Sequence, residues 1–319
     1  MVVVAIAGGT GGVGRATVDA IEKAGRHKAI ILSRTTSDDP KRFAVDYGDV
    51  ESIKQVLQEN DVAVVVSALL LSGKAEARSQ INLIKAAAQS GTVTKFIPSE
   101  YYIDFHLPIP GSDLFTDFPL EAEEELSRHP QLTWTLIRVG IFLDHLAMPY
   151  NPKTTYISPY WVFLDMEHEE CVIPGDGSSP LVLTHSTDLA AYIERLIGLP
   201  AEDWPRECFV ASNKLQVKDL ATLAKRVTGK DFKLTYDTLQ AIYDSRITPL
   251  PSNRPVFEDP AKGPMFLQVE RHVMLSVLTG AHNLPGKDLA EVFPDVPRTD
   301  IEEFFRAGWA LKQGNTTSS

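Results

Sequence analysis

The chain predicts an α/β protein built on a doubly wound parallel sheet, with a smaller, mostly helical second domain. Three observations carry this. Residues 2–7 form a short, wholly apolar, β-branched run, the pattern of a strand buried on both faces. A glycine-rich turn follows it and opens an amphipathic stretch. The same alternation of strand and helix then repeats at intervals of roughly 25 to 35 residues, as right-handed crossovers require. At 319 residues the chain is long enough for two domains, and 44% apolar with 23% charged residues is an ordinary globular balance.

Taken in order, residues 12–24 read as a helix, with Val13, Thr17, Ala20, Ile21 and Ala24 on one face and Gly25 as its stop. Residues 29–33 read as a second buried strand. Val50, Ile53, Val56 and Leu57 place a helix over 49–60, and a strand follows at 62–67. A helix over 75–90 ends at Gly91. A strand at 95–98, a short acidic helix over 119–128 and a strand over 133–139 complete the first half. The texture changes after Tyr150, where aromatics and prolines gather. Pro174, Gly175, Gly177 and Pro180 mark turns, and helical spacing returns at 188–197, where Ser186 or Thr187 can cap the helix. Helices follow at 217–228, 238–245, 264–279 and 299–313, with one strand at 232–236. The expected division is a nucleotide domain over 1–150, continued by 172–198, and a substrate domain over 151–171 and 199–313. Residues 314–319 are expected to be a disordered tail.

Lys and Arg number 31 against 42 Asp and Glu, a formal charge of −11. That balance repels phosphate backbones and anionic membranes, so neither nucleic acid nor a membrane is the expected partner, and nothing specifically indicates a protein partner. Two cysteines, Cys171 and Cys208, make no disulfide framework. The longest apolar run, residues 62–71, is too short to span a bilayer, and the opening run lacks the basic flank of a secretory signal. The expected location is the cytoplasm.

The strongest chemical signal is Gly8-x-x-Gly11-x-x-Gly14 between the first strand and first helix. One glycine makes the tight turn, one lets the backbone approach a pyrophosphate, and the third lets helix pack on strand. The helix N-terminus then offers free N–H groups to the anion. At the tip of the second strand stand Ser33 and Arg34, where NAD binders carry a carboxylate. Arg34, with Lys41 or Arg42 close behind, suits a 2′-phosphate, so the expected cofactor is NADP(H) rather than NAD.

These residues belong to a larger pattern. Asp46-Tyr47-Gly48-Asp49, Lys95-Phe96-Ile97-Pro98-Ser99-Glu100-Tyr101 and Thr133-Trp134-Thr135-Leu136-Ile137-Arg138-Val139-Gly140-Ile141-Phe142 stand in order after the glycine loop. The chain resembles the NmrA-like and isoflavone-reductase-like atypical short-chain dehydrogenases, in their fungal form, over about residues 1–312. The resemblance implies a Rossmann domain with an interleaved substrate domain. It implies NADP(H) held by Gly8, Thr10, Gly11, Gly12, Val13 and Arg34, with Ser67 and Ala68 after the fourth strand and Pro98 and Ser99 beside the nicotinamide ribose. It further implies a catalytic lysine on the helix after the Pro-Ser-Glu block. An ungapped count puts that place at Leu120, and no lysine occurs between Lys95 and Lys153. Tyr102 stands where the family's reductases carry glycine. No tyrosine has a lysine four residues on, so the other standard donor of short-chain dehydrogenases is missing too.

Tyr101 and Tyr102, just past the sheet edge, are candidate proton donors or else packed aromatics. His185 either faces the site from a strand end or is structural. Asp144 and His145 line the pocket or form an exposed loop pair. Tyr156, Tyr160, Trp161 and Phe163, with Trp134 and Phe142, wall a pocket for a flat apolar ligand or belong to ordinary core. Asp165, Glu167, His168 and Cys171 fit no metal spacing. The expected activity is an NADPH-dependent reduction of a small, largely apolar metabolite, aromatic or polyketide-like, in secondary metabolism. A non-redox isomerase, dehydratase or cyclase on the same frame, and an NADP(H)-binding redox sensor, are the alternatives.

Overall fold

The computed structural model describes residues 1–112, 114 and 117–316. The first half alternates as expected: β1 (Val3–Ala7), α1 (Gly12–Ala24), β2 (Lys28–Ser33), β3 (Arg42–Ala44), α2 (Val50–Glu59), β4 (Val62–Ser67), α3 (Lys74–Ser90), β5 (Lys95–Ile97), α4 (Asp117–Ser127) and β6 (Thr133–Trp134). These strands form a parallel sheet of order β3-β2-β1-β4-β5-β6. The order reverses direction between β1 and β4, and that switch point is where such sheets open a crevice at their carboxyl ends. The edge strand β3 escapes sequence reading. It has three residues, none of them buried, so it carries no apolar run.

The strand expected over 133–139 is two strands. After β6, the Leu136 N–H bonds to the Arg206 carbonyl at 3.0 Å, and β7 (Leu136–Arg138) leaves the main sheet. It pairs with β12 (Glu207–Phe209), which in turn pairs with β15 (Lys287–Asp288). Cys208, Val210, Leu289, Phe293 and Val296 thereby join the core beneath α1. Residues 207–210 and 287–296 pack with the nucleotide half, not with the substrate half to which they were assigned.

Between them, β8 (Ile141–Phe142), β9 (Leu164–Asp165), β10 (Glu170–Pro174), β11 (Pro180–Thr184) and α5 (Ser186–Ile197) precede β12. Beyond it come β13 (Asn213–Gln216), α6 (Asp219–Thr228), β14 (Lys233–Asp237), α7 (Leu239–Tyr243), α8 (Arg254–Phe257) and α9 (Gly263–Leu278). The chain finishes with β15, α10 (Leu289–Val292) and α11 (Ile301–Thr316). The second half is less helical than its spacing suggests. It also holds two three-stranded sheets, β14-β10-β9 and β13-β11-β8. Strands of two to five residues complete too few alternations to be seen in sequence. The last helix reaches Thr316, into the expected tail, and residues 317–319 lie outside the described residues.

Helix α5 packs against α1. Leu189, Ile193 and Ile197 pack against Val18 and Ile21 of α1, and Arg26 forks onto Glu194. Its cap is neither Ser186 nor Thr187. His185 is the N-cap residue, and its Nδ1 accepts from the Thr187 N–H at 3.2 Å. Asp165 closes a turn, accepting from the N–H groups of Glu167, His168 and Ser252 at 2.8 to 3.1 Å. No helix among the described residues is long and apolar enough to cross a membrane.

Gly140 joins the two halves at the β7–β8 corner. Its φ is +68°, and an added Cβ would lie 2.3 Å from the Val182 carbonyl oxygen. Gly140→Ala is expected to destabilise the protein by about 3 kcal/mol, from left-handed strain plus backbone overlap. Urea unfolding of the two proteins side by side measures it; equal midpoints would refute the packing described for this corner.

Candidate functional site

A cleft of about 980 Å³ runs along the carboxyl ends of β1, β2 and β4 and on toward the second half. At one end lies the turn after β1. Gly8 there has a φ of +79°, and Thr10, Gly11, Gly12 and Val13 face the cleft. Among the described residues no side chain caps α1, which leaves the amides after Gly12 in its first turn to an anion. The Gly12 N–H reaches the Tyr156 carbonyl at 3.1 Å, the point where the 150s segment crosses the loop. Tyr156 Oη donates to Asp19 at 2.6 Å, and Arg15 lies 5.8 Å from the ring centre.

Next come Ser33, Arg34, Thr35 and Arg42 at the tip of β2. Arg42 Nε donates to Ser33 Oγ at 2.9 Å and its Nη2 to Thr35 Oγ1 at 2.7 Å. Arg34 is exposed and makes no ion pair or hydrogen bond with the described residues. Two guanidiniums, neither of them ion-paired among the described residues, and two hydroxyls suit a doubly charged phosphate ester.

Midway stand Ala68, Leu69, Ser99, Glu100 and Tyr101. Ser99 is held by its N–H on Gln80 Oε1 at 2.8 Å and its Oγ on the Leu69 carbonyl at 2.9 Å. Glu100 takes Nε of the fully buried Arg138 at 2.9 Å. The far end is aromatic: Tyr102, Phe105, Phe142, His145 and Tyr160, with Pro119 of α4 beside them. His145 Nδ1 donates to the Tyr160 carbonyl at 2.8 Å. Burial pushes the His145 imidazole below its usual range, so the ring is neutral at pH 7 and, with its proton on Nδ1, carries a lone pair at Nε2.

This cleft places an uncapped helix start, a glycine turn and a cationic strand tip in one line. The NmrA-like family matches residues 2–258. The chain belongs to that family. Oxidoreductase swnN of Metarhizium robertsii is 68% identical over 98% of this chain and 99% of its own length. Oxidoreductase swnN of Arthroderma benhamiae is 62% identical over 98% and 99%. Leucoanthocyanidin reductase from Vitis vinifera, solved with NADPH, superposes with a TM-score of 0.73 at 18% identity, covering 97% of this chain and 99% of that one.

In this NmrA-like protein Gly8, Thr10, Gly11, Gly12, Val13, Arg34, Ala68 and Ser99 all line the cleft, as do Tyr101, Tyr102, Phe142 and His145. Other sequence candidates stand elsewhere. Gly14 does not face the cleft; it packs α1 against the loop. Lys41 lies outside, paired to Glu22 at 2.5 Å, whereas Arg42 lines the cleft. Ser67 and Pro98 sit beneath the cleft floor, where the Ser67 carbonyl accepts the Tyr101 hydroxyl at 2.9 Å. That bond spends the one proton Tyr101 could give, and argues against its catalytic candidacy. His185 is fully buried beside Asp144, away from the cleft, and serves as the α5 cap. Asp144 is no exposed loop residue either, since Ser186 N–H and Oγ bond to it at 2.9 and 2.7 Å. Trp161 does not line the cleft; it packs against the core of the second half, its Nε1 donating to the Met148 carbonyl at 3.1 Å. Trp134 and Phe163 are core.

Sequence reading missed Glu270, which Tyr160 contacts from the cleft wall. In sequence Glu270 stands in the run Gln268-Val269-Glu270-Arg271-His272, where its polar neighbours make it look like a solvated position. Its meaning depends on a residue 110 positions away.

Proposed function

We propose that this oxidoreductase of the NmrA-like family uses NADPH to reduce a small, largely apolar, flat metabolite, aromatic or polyketide-like, of secondary metabolism. The single observation that carries the reading is the continuity of the cleft from the phosphate turn and Arg34 to the aromatic end. The residues present fit the cofactor. Backbone amides at Gly12 and Val13 would take the pyrophosphate, with Tyr156's carbonyl giving way at Gly12. Arg34 and Arg42 would take the 2′-phosphate, and Ser99 would lie beside the nicotinamide ribose. NADPH, when bound, supplies a hydride. Phe142, Phe105 and Tyr102 exclude water from the acceptor and favour a flat apolar one. The relatives and the NADPH-bound neighbour support this reading.

A second reading has one observation in its favour. No lysine lines the cleft among the described residues, so the general acid that the family resemblance implies has no counterpart. A non-redox reaction with NADP(H) as a fixed scaffold would need none. One experiment separates the two. Protein with NADPH is exposed to quinones, enones and polyketide intermediates while absorbance at 340 nm and product mass are followed. Loss of NADPH matched by a product two hydrogens heavier supports reduction. Product without NADPH loss supports the second reading.

A further inference from the structure

Among the described residues five tyrosines line the cleft, and four have their hydroxyl protons committed. Tyr47 donates to the Leu32 carbonyl at 3.2 Å and Tyr101 to the Ser67 carbonyl at 2.9 Å. Tyr102 meets Ser276 Oγ at 2.8 Å; that hydroxyl itself donates to the Val273 carbonyl, so it accepts the Tyr102 proton. Tyr156 bonds to Asp19 over the phosphate turn, far from the aromatic end. Among these five, only Tyr160 donates to a buried carboxyl, Glu270 Oε2, which can itself gain and lose a proton.

Glu270 is 3% exposed on α9 and pairs with no cation among the described residues. Tyr160 faces it from the segment before β9. Asp237 at the end of β14 adds negative charge, and Tyr102 stands across from it. On α9 itself, Arg271 turns away to the carbonyls of Ile242 and Tyr243. The nearby His272 and His282 are pushed down to about 4 and about 3 by burial, so they hold no positive charge at neutral pH.

We propose that Tyr160 is the proton donor of the reduction and that Glu270 supplies it with the proton. The proposal rests on the reductase reading above. As the carbonyl carbon receives the hydride, its C=O double bond becomes single and the oxygen takes the Tyr160 Oη proton. Glu270 passes its own proton to Tyr160 and is left as a carboxylate, which solvent reprotonates after product leaves. The substrate is reduced to an alcohol and NADPH is oxidised to NADP⁺. Tyr160 is the catalytic residue, and Glu270 is a positioning residue that acts through it.

The direction of the pH effect follows from hydrogen-bond polarity. A protonated Glu270 donates to Tyr160 Oη and leaves the phenol proton free for substrate. An ionised Glu270 accepts that proton and holds it back. Burial, with the Tyr160 bond opposing it and Asp237 adding to it, pushes the Glu270 carboxyl up to about 7. Competence is therefore present below about 7 and lost above it.

The test uses wild-type protein, Tyr160→Phe and Glu270→Gln, with NADPH binding by fluorescence, reduction of phenanthrenequinone, and infrared spectra of the NADPH-bound proteins. NADPH affinity should be alike in all three. Tyr160→Phe should slow reduction about 100-fold across the pH range. Glu270→Gln should erase the inflection in kcat/KM near 7. The infrared spectrum should show a protonated carboxyl that fades through the same range, is missing in Glu270→Gln and is shifted in Tyr160→Phe. An unchanged inflection in Glu270→Gln, full activity of Tyr160→Phe, or no such carboxyl would overturn the proposal. If NADPH binds but the quinone is not reduced, the infrared result decides, since the relay cannot run without a shared, titrating proton. Failure of wild-type protein to bind NADPH would instead sink the reductase reading itself.

Discussion

Gly14→Ala is expected to weaken NADPH binding about 100-fold while the protein remains folded. An added Cβ would stand 2.3 Å from the Gly8 carbonyl oxygen, 2.7 Å from its carbon and 3.0 Å from the Gly9 Cα. All three are backbone atoms of the phosphate turn, so no side chain can swing aside. Either the turn or the helix must move. Helix α1 is held on its other side by α5, through Val18, Ile21, Leu189 and Ile193 and through the Arg26–Glu194 pair. The turn, which lines an open cleft, gives way first. Moving it shifts the Gly8–Gly11 backbone into the space the pyrophosphate needs beside the fixed amides of the first helical turn. Hydrogen bonds to charged groups contribute about 1.5 to 3 kcal/mol each, so losing one or two accounts for the factor. Calorimetric titration with NADPH measures it. Gly11→Ala is the contrast: its Cβ meets nothing within 4 Å and its φ of −160° suits any residue, so the melting temperature should not move. A Gly14→Ala protein that binds NADPH as tightly as wild type would show that the turn does not cradle the phosphates.

Arg34→Ala is expected to cut NADPH affinity about 30-fold and leave NADH affinity unchanged. Arg34 has no partner among the described residues, so its removal strands no buried group and should not disturb the fold. Whatever it contributes appears only with a ligand carrying the 2′-phosphate. Arg42 stays, tied to Ser33 and Thr35, so selectivity falls without vanishing. Lys41→Ala, outside the cleft and paired with Glu22, should change neither affinity. Equal losses for both nucleotides in Arg34→Ala would place this guanidinium on the shared part of the cofactor, and end the claim that the β2 tip selects NADP(H).

Much of this was legible in the residues. The strands from β1 to β5, apart from β3, and the helices between them could be read because each is an apolar run or a helical stripe long enough to show its period. The cofactor end could be read for a related reason. The turn after β1, the helix start and the β2 tip lie within the first 34 residues, and a local motif specifies them. Where the reading failed, pairing was non-local. The split at Thr135 exists because residues 206–209 arrive from some 70 positions away to take the chain. His185 is a cap because the chain turns there into α5, and a strand-end histidine looks the same in sequence whether it faces a cleft or a helix.

The sequence by itself determined the fold class, the phosphate turn and the charge at the strand tip, because hydrophobic period, glycine spacing and residue type are properties of neighbouring positions. The tertiary structure decided which hydroxyls keep a proton to give. Tyr101, Tyr102 and Tyr160 are alike as residues. They differ only in what lies at hydrogen-bond distance: a carbonyl from Ser67, a hydroxyl from Ser276, and a carboxyl from Glu270. Burial then sets how readily that carboxyl carries its proton, since an ion removed from water is costly and a neutral acid is not.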